Sequence, residues 1–480
     1  MAAYAEPIAR RPATRFRIPR ASPLNGGELG QAAAAVPIGG NSIPGMRPHL
    51  RSVRLLIAVG AAAGLLVSAC TSASTSSSTS TEPSSGSGSG SGSAAVTGTS
   101  SASTTVAPVT NSCQGGDVAI DAQGQAIVST IKQEAGNRGL TSVLYQVTKG
   151  GQLIASGAIG DNVTGVPVDQ SVHFRNGNVV FAYLGQLLLL MTDTGQVSLD
   201  DPVSKWLPDL QLPNADTVTL GMLARNTSGY PDYVAAPAFV DAFESDPFKE
   251  YTPQDRLAYA FATPPLYPPG TAWSYAHTNY LILGQALEAA GHLPLGDLLT
   301  DQVITPMGLT DTRPVLTPDL PAPVLHTFST ERGKLEETTF WNPSWQTPPG
   351  AVLATTICDM VASARATGTG EILTPDGFTA FTADDPVQHQ PPPAGCPQGV
   401  CHQFPDTMHF GLGVQVLNGW ITSTPLFAGQ GSLTAYLPDQ DLAIAIITVA
   451  SASSKVNTND AQEIFKTLTT QLTPDHVPPN

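Results

Sequence analysis

Three groupings of side chains in this sequence have types and spacings that could do chemistry. Ser129 and Lys132 lie one helical turn apart, so the amine could take the proton of a hydroxyl that then attacks a carbonyl carbon. Tyr275 and His277 are two residues apart. A phenol and an imidazole can share a proton, and histidine titrates in the physiological range. Cys396 and Cys401 sit in a Pro-rich segment with His389, His402 and His409 around them. That spacing matches no zinc pattern, whereas two cysteines five apart suit a local disulfide in an oxidising compartment. Cys113 and Cys358 can pair or stay free; spacing does not decide between these. No phosphate loop, dinucleotide fingerprint or metalloprotease helix occurs, so neither metal nor cofactor is implied.

The elements that must position these groups come from a chain of 480 residues, 41% hydrophobic and 12% charged. Typical globular chains carry about 25% charged residues. At this length a sizeable core is available, so a wholly disordered or disulfide-only protein is excluded. Charge is unevenly placed: the first 69 residues hold eight Arg and two Glu, and the rest holds 14 basic against 36 acidic residues. A body that acidic lacks the basic patches that meet phosphates, which excludes nucleic acid as a partner.

The first seventy residues read as an address. From Met46 the sequence runs through Arg47, Arg51 and Arg54 into thirteen apolar residues, Leu55 to Val67, and then Ser68-Ala69-Cys70. A basic segment, a short apolar segment and small residues before a break predict a signal peptide over 46–69. Thirteen residues are too few to span a bilayer as a mature helix. The ending Val67-Ser68-Ala69-Cys70 resembles a bacterial lipobox, which implies cleavage before Cys70 and lipid attachment to its thiol. A plain secretory signal or an uncleaved anchor are the other readings, and all three place the body outside the cytoplasm. Residues 1–45 read as an upstream extension, with Met46 as the natural start. Residues 71–112 are mostly Ser, Thr, Gly, Ala and Pro, with one charge, Glu82. Such a composition cannot form a core, and 70–112 is expected to be a tether with a reach of about 35 Å.

Residues 113–480 are expected to form one folded domain. Apolar spacing predicts a helix over Ala126–Glu134. Val143–Val147 and Leu153–Ala158 around Gly150-Gly151 predict a hairpin. Residues 178–310 are helical in pattern, with Pro-rich loops. Leu412–Leu417, Leu433–Leu437 and Leu442–Val449 are apolar runs of strand length, and Asp460–Leu472 reads as a final helix. Strands at both chain ends around a helical middle suggest an α/β (α+β) architecture: an antiparallel sheet flanked by helices plus a helical subdomain.

Seven stretches, in order, resemble the serine β-lactamase and penicillin-binding-protein superfamily, in particular its class C, D-alanyl-D-alanine-carboxypeptidase and esterase branch. They are Phe174-Arg175-Asn176-Gly177; Gly195 to Pro202; Asn226-Thr227-Ser228-Gly229-Tyr230-Pro231-Asp232-Tyr233; Pro269-Gly270-Thr271 leading to Tyr275 and Leu283-Gly284; Pro306-Met307-Gly308-Leu309; Phe410-Gly411-Leu412-Gly413; and Leu437-Pro438-Asp439. The resemblance implies that family's fold and a cleft shaped for a peptide, lactam or ester carbonyl.

The same resemblance locates three catalytic positions, and each departs from the pattern. Where the family has its Ser-x-x-Lys nucleophile and base, this chain has Asn178-Val179-Val180-Phe181. The family's Tyr-x-Asn is Tyr275-Ala276-His277 here. Its Lys-Thr-Gly or His-x-Gly strand falls on Ser423-Thr424-Pro425, without the cation; a second placement on Gly429-Gln430-Gly431 also lacks it. The literal Ser129/Lys132 pair lies in the N-terminal helix, too early for the site. Losing a nucleophile or base costs on the order of 10⁴ to 10⁶ in rate, and three departures together make an acyl-serine route untenable.

The expectation is therefore an envelope lipoprotein, anchored to the membrane through Cys70, whose cleft binds a cell-wall peptide or small carbonyl ligand without acylation. The alternative is a weak esterase, amidase or carboxypeptidase using Tyr275 and His277. Three further features are weighed. The aromatic loop Phe340–Trp345 lines a cleft or joins the core. The segment 385–405 is a lid or a surface loop. Ser228 or Ser274 is a stand-in nucleophile only if it reaches the cleft.

Overall fold

The computed structural model describes residues 113, 117–455 and 458–479. The expectations for 1–45, 46–69, Cys70 and the tether lie outside the described residues. In chain order, the elements that build and position the site are helix α1 (Ala122–Arg138), strands β1 (Ser142–Lys149) and β2 (Gln152–Val163), helices α2 (Val179–Asp193), α3 (His277–Gly291) and α4 (Ile357–Thr369), strands β3 (Met408–Phe410), β4 (Gln415–Leu417), β5 (Trp420–Ser423), β6 (Gln430–Leu437) and β7 (Leu442–Val449), and helix α5 (Asp460–Leu472).

The strands form one antiparallel sheet in the order β2-β1-β7-β6-β5-β4-β3, with the short strand Val118–Ala119 outside β2. The two chain ends meet at its centre, where β7 pairs with β1 from Leu442↔Lys149 to Val449↔Ser142. Gly150 and Gly151, at φ 58° and 72°, make the tight β1–β2 turn, a left-handed pair of the kind that glycine supplies without strain.

Alternate side chains enter two cores. Tyr145, Ile444 and Ile446 pack under α1 and α5 with Ile127, Ile131, Ile464 and Phe465. Leu144, Ala443, Ala445 and Ile447 face the other way, toward Ile357 and Val361 of α4 and toward α2. With both faces covered, the central strands read as unbroken apolar runs rather than as alternation. Helices α2 and α3 lie inside the larger core; Val180, Leu184, Leu187 and Leu188 of α2 are fully buried. The predicted helical middle is present as α2, Leu220–Arg225, Pro237–Ser245, Pro253–Ala260, α3 and Leu295–Leu299.

Several expectations need correction. Leu412–Leu417 is not one strand: only Gln415–Leu417 is extended. Gly413 takes φ 90°, and its backbone lies so close to α2 that a Cβ there would sit 2.1 Å from the Phe181 carbonyl oxygen. The N-terminal helix is longer than Ala126–Glu134, because Asp121 caps it through the Gly124 N–H and left-handed Gly139 ends it. Residues 385–405 do not close over the cleft described below. They run as a strap on Trp273, with the His402 N–H on the Trp273 carbonyl at 3.2 Å and Phe404 4.5 Å from its ring. The strap is clipped by the expected Cys396–Cys401 disulfide. Cys113 and Cys358, left open by spacing, are bonded across 245 residues.

Two stability predictions follow from this packing. Gly185→Ala places a methyl 1.8 Å from the Leu412 carbonyl oxygen, whereas Gly136→Ala on α1 meets nothing within 4 Å. Urea denaturation is expected to show a loss of about 1–3 kcal/mol for the first and none for the second. Cys358→Ser is expected to cost about 2–4 kcal/mol, measured the same way without reductant.

Candidate active site

The start of α2, the chain entering α3, the Phe410–Gln415 crossing and the end of β5 surround one cleft. It is lined by Asn178, Phe181 and Tyr275, by Phe410, Gly413 and Gln415, and by Thr422, Ser423 and Thr424. Its free internal space is about 20 Å³, room for a water-sized group. The fold thus brings together Asn178, Phe181, Tyr275, Ser423 and Thr424, which lie far apart in sequence. His277 stands just behind this lining, its ring edge-on to Tyr275 at 5.1 Å and to Phe181 at 5.9 Å.

Asparagine is a favoured N-cap, because its side chain can accept an amide N–H of the first turn. Asn178 occupies the N-cap of α2, yet makes no side-chain capping bond. Its Nδ2 instead donates to the Tyr275 hydroxyl oxygen at 2.9 Å. Its Oδ1 is buried with no hydrogen-bond partner. One turn on, where a base would have to stand, Phe181 stacks on Tyr280 with ring centres 3.7 Å apart and planes within 6°. Burial pushes the Tyr275 phenol well above its usual range; the Asn178 bond opposes this and the Asp232 charge adds to it. The phenol therefore keeps its proton at neutral pH.

Ser423 ends β5, paired with Thr434 of β6. The strand stops there because Pro425 has no N–H to give a ladder. The Pro425 ring packs against left-handed Gly177, where a Cβ would lie 2.7 Å from the Pro425 Cβ. The other placement fails on position: the buried Gln430 amide is spent on the Arg175 carbonyl at 2.9 Å and on the Ser432 hydroxyl at 3.0 Å.

The reading of the residues missed Asp232. Its Oδ2 lies 3.0 Å from His277 Nδ1, and its Oδ1 accepts the His277 backbone N–H at 3.1 Å. A carboxylate there also suits the N-terminus of α3. Asp232 lay within the Asn226–Tyr233 stretch that carried the resemblance, so the signal was present, but its partner stood 45 residues away. The same stretch is tied to α3 by Asn226, whose Oδ1 accepts from the Ala276 N–H and Asn279 Nδ2 at 3.1 and 2.9 Å.

The remaining candidates are structural. Ser228 is fully buried and donates to Asn279 Oδ1 at 2.6 Å, and Ser274 is buried too. Neither lines the cleft. On α1, the Ser129 hydroxyl bonds back to the Gln125 carbonyl, and Lys132 pairs with Asp117, both exposed. Trp341 and Trp345 pack on Phe243 at 5.6 and 5.1 Å, so the aromatic loop belongs to the helical layer. His389 is held by the Phe404 carbonyl and Asp384, and His409 by the Thr382 carbonyl. Among the described residues, no group of three or more His, Cys, Asp or Glu could hold a metal.

Comparison with known proteins bears on the fold and its descent. The family model described as Beta-lactamase matches residues 127–469. Penicillin-binding protein 4 from Amycolatopsis lactamdurans is 30% identical over 253 residues, 51% of this chain and 62% of that protein. Esterase EstB from Burkholderia gladioli is 25% identical over 185 residues, 36% of this chain and 47% of that protein. The chain thus spans less than two thirds of the length of these curated relatives. Among solved structures, a D-stereospecific amidohydrolase from Streptomyces sp. superposes with a TM-score of 0.60 at 22% identity, over 72% of this chain and 97% of that one. A penicillin-binding protein from Bacillus halodurans gives 0.57 at 17% identity, over 71% and 99%. At such identities the structural likeness establishes the fold, and the family match over most of the chain establishes descent. The chain belongs to the beta-lactamase family, among the hydrolases related to penicillin-binding proteins.

Proposed function

We propose that this chain is a non-acylating member of the family, anchored outside the cytoplasm as a lipoprotein, whose cleft binds a cell-wall peptide or another small carbonyl ligand. One observation carries the reading. Asn178 stands where a nucleophile would have to stand, and its amide is bonded to Tyr275, with Phe181 locked on Tyr280 beside it. A carboxamide nitrogen is no substitute for a hydroxyl, and a benzyl side chain takes no proton. Loss of a nucleophile or base is worth on the order of 10⁴ to 10⁶ in rate. Two similar proteins, a penicillin-binding protein and a D-stereospecific amidohydrolase, support a ligand of lactam or amide type. Localisation rests on the signal-like residues 46–69 and on Cys70.

A second reading has its own support in Asp232. With Nδ1 of His277 held by that carboxylate, Nε2 is the ring nitrogen left to accept a proton, and water could be the nucleophile. This would make a weak esterase or amidase that relies on His277 and Tyr275.

Three measurements separate these readings. Intact-mass spectrometry after incubation with excess fluorophosphonate, and separately with a penicillin, is expected to show no adduct while an active family member labels fully; an adduct on one Ser would end the non-acylating reading. Turnover of a chromogenic ester is expected to be absent; turnover at least tenfold above buffer that both His277→Ala and Tyr275→Phe abolish would establish the second reading instead. In a bacterial host that processes lipoproteins, the full chain is expected in the membrane fraction, and Cys70→Ser is expected to move it to the soluble fraction.

A further inference from the structure

We infer that the cleft takes the neutral amide end of its ligand and discriminates against a carboxylate. This rests on the reading of the cleft as a binding site and names the chemistry it selects.

Asn178 and Tyr275 both line the cleft. Asn178 Nδ2 is committed to the Tyr275 hydroxyl oxygen at 2.9 Å, and Asn178 Oδ1 is buried without a partner. Tyr275 accepts that bond, so its own O–H remains to be donated. The floor therefore presents one unfilled acceptor and one available donor side by side. An amide group is the complement: its N–H donates to Asn178 Oδ1 and its carbonyl accepts from Tyr275 O–H. A carboxylate has acceptors only. It would set an oxygen against Asn178 Oδ1 and leave that buried atom unpaired, the costly outcome for a polar group out of water. An ester offers the carbonyl and lacks the donor.

Charge points the same way. None of the residues lining the cleft is ionisable as a cation, and behind the lining the His277 ring is already paired with the Asp232 carboxylate at 3.0 Å. A carboxylate inserted here would leave water without a counter-charge. Burial keeps the Tyr275 phenol protonated, so its donor role persists at neutral pH.

The test is a matched series: N-acetyl-D-alanyl-D-alaninamide, its free acid and its methyl ester, titrated into the full chain and followed by ligand-observed NMR, with chromatography confirming that each probe stays intact. The amide is expected to bind about tenfold or more tighter than the acid, with the ester between them, the gap expected for one hydrogen bond made or missed. Asn178→Ala is expected to bring amide and ester within about twofold, the cost of losing the one group that tells them apart. Tyr275→Phe is expected to weaken amide and ester alike, since both offer a carbonyl. Near-UV circular dichroism of each variant checks that the fold is kept. Equal or tighter binding of the acid overturns this inference and leaves the binding reading standing. Absence of binding by all three probes overturns both. Hydrolysis of any probe overturns the reading of a cleft that only binds and restores a catalytic one.

Discussion

Helix α2 runs through the molecule with Val180, Leu184, Leu187 and Leu188 fully buried, so the side chains of its first three turns are positioned by packing against other elements. Its approach to the Phe410–Gln415 crossing is made backbone to backbone. Gly185 lies against the Leu412 carbonyl, and Gly413 against the Phe181 carbonyl. Interiors packed to this density do not adjust in small steps. The first turn of α2 is therefore delivered to one place, and whatever residues occupy Asn178 and Phe181 become the floor of the cleft.

That rigidity explains how a site can change its chemistry while the fold stands. In this chain the positions at the floor carry a carboxamide, a phenyl ring and a serine without a neighbouring cation. The polar groups there are paired with one another: Asn178 with Tyr275, and Asp232 with His277. Neither pair includes a hydroxyl poised next to a base. The surrounding frame is held by the β1–β7 pairing and by the Asn226 ties onto α3, and the solved structures share its fold. Fold and activity rest on different groups: the frame is built by burial and backbone hydrogen bonds, while activity depends on a handful of groups at one site.

Much of the architecture was legible in the sequence. The hairpin at Gly150-Gly151, the strand Leu442–Val449 and the helix Asp460–Leu472 are local features, written in turn chemistry and apolar periodicity. The five site positions Asn178, Phe181, Tyr275, Ser423 and Thr424 were legible because motif order locates them without any coordinates. What periodicity misread was the stretch Leu412–Leu417. Its apolar residues look like a strand, but the close approach to α2 bends it at Gly413.

Sequence alone determined the kinds of groups present: an Asn and a Phe three residues apart, where the resemblance expects a nucleophile and a base, a Tyr and a His two residues apart, and two cysteines close enough to bridge. Tertiary structure decided which of these groups meet. The Cys113–Cys358 bond spans 245 residues, Asp232 reaches His277 across 45, and Asn178 reaches Tyr275 across 97. The reason is physical. Local pattern reports on helices and turns because their hydrogen bonds close within a few residues. Contacts between distant side chains depend on how buried helices pack on the sheet, and no local periodicity records that.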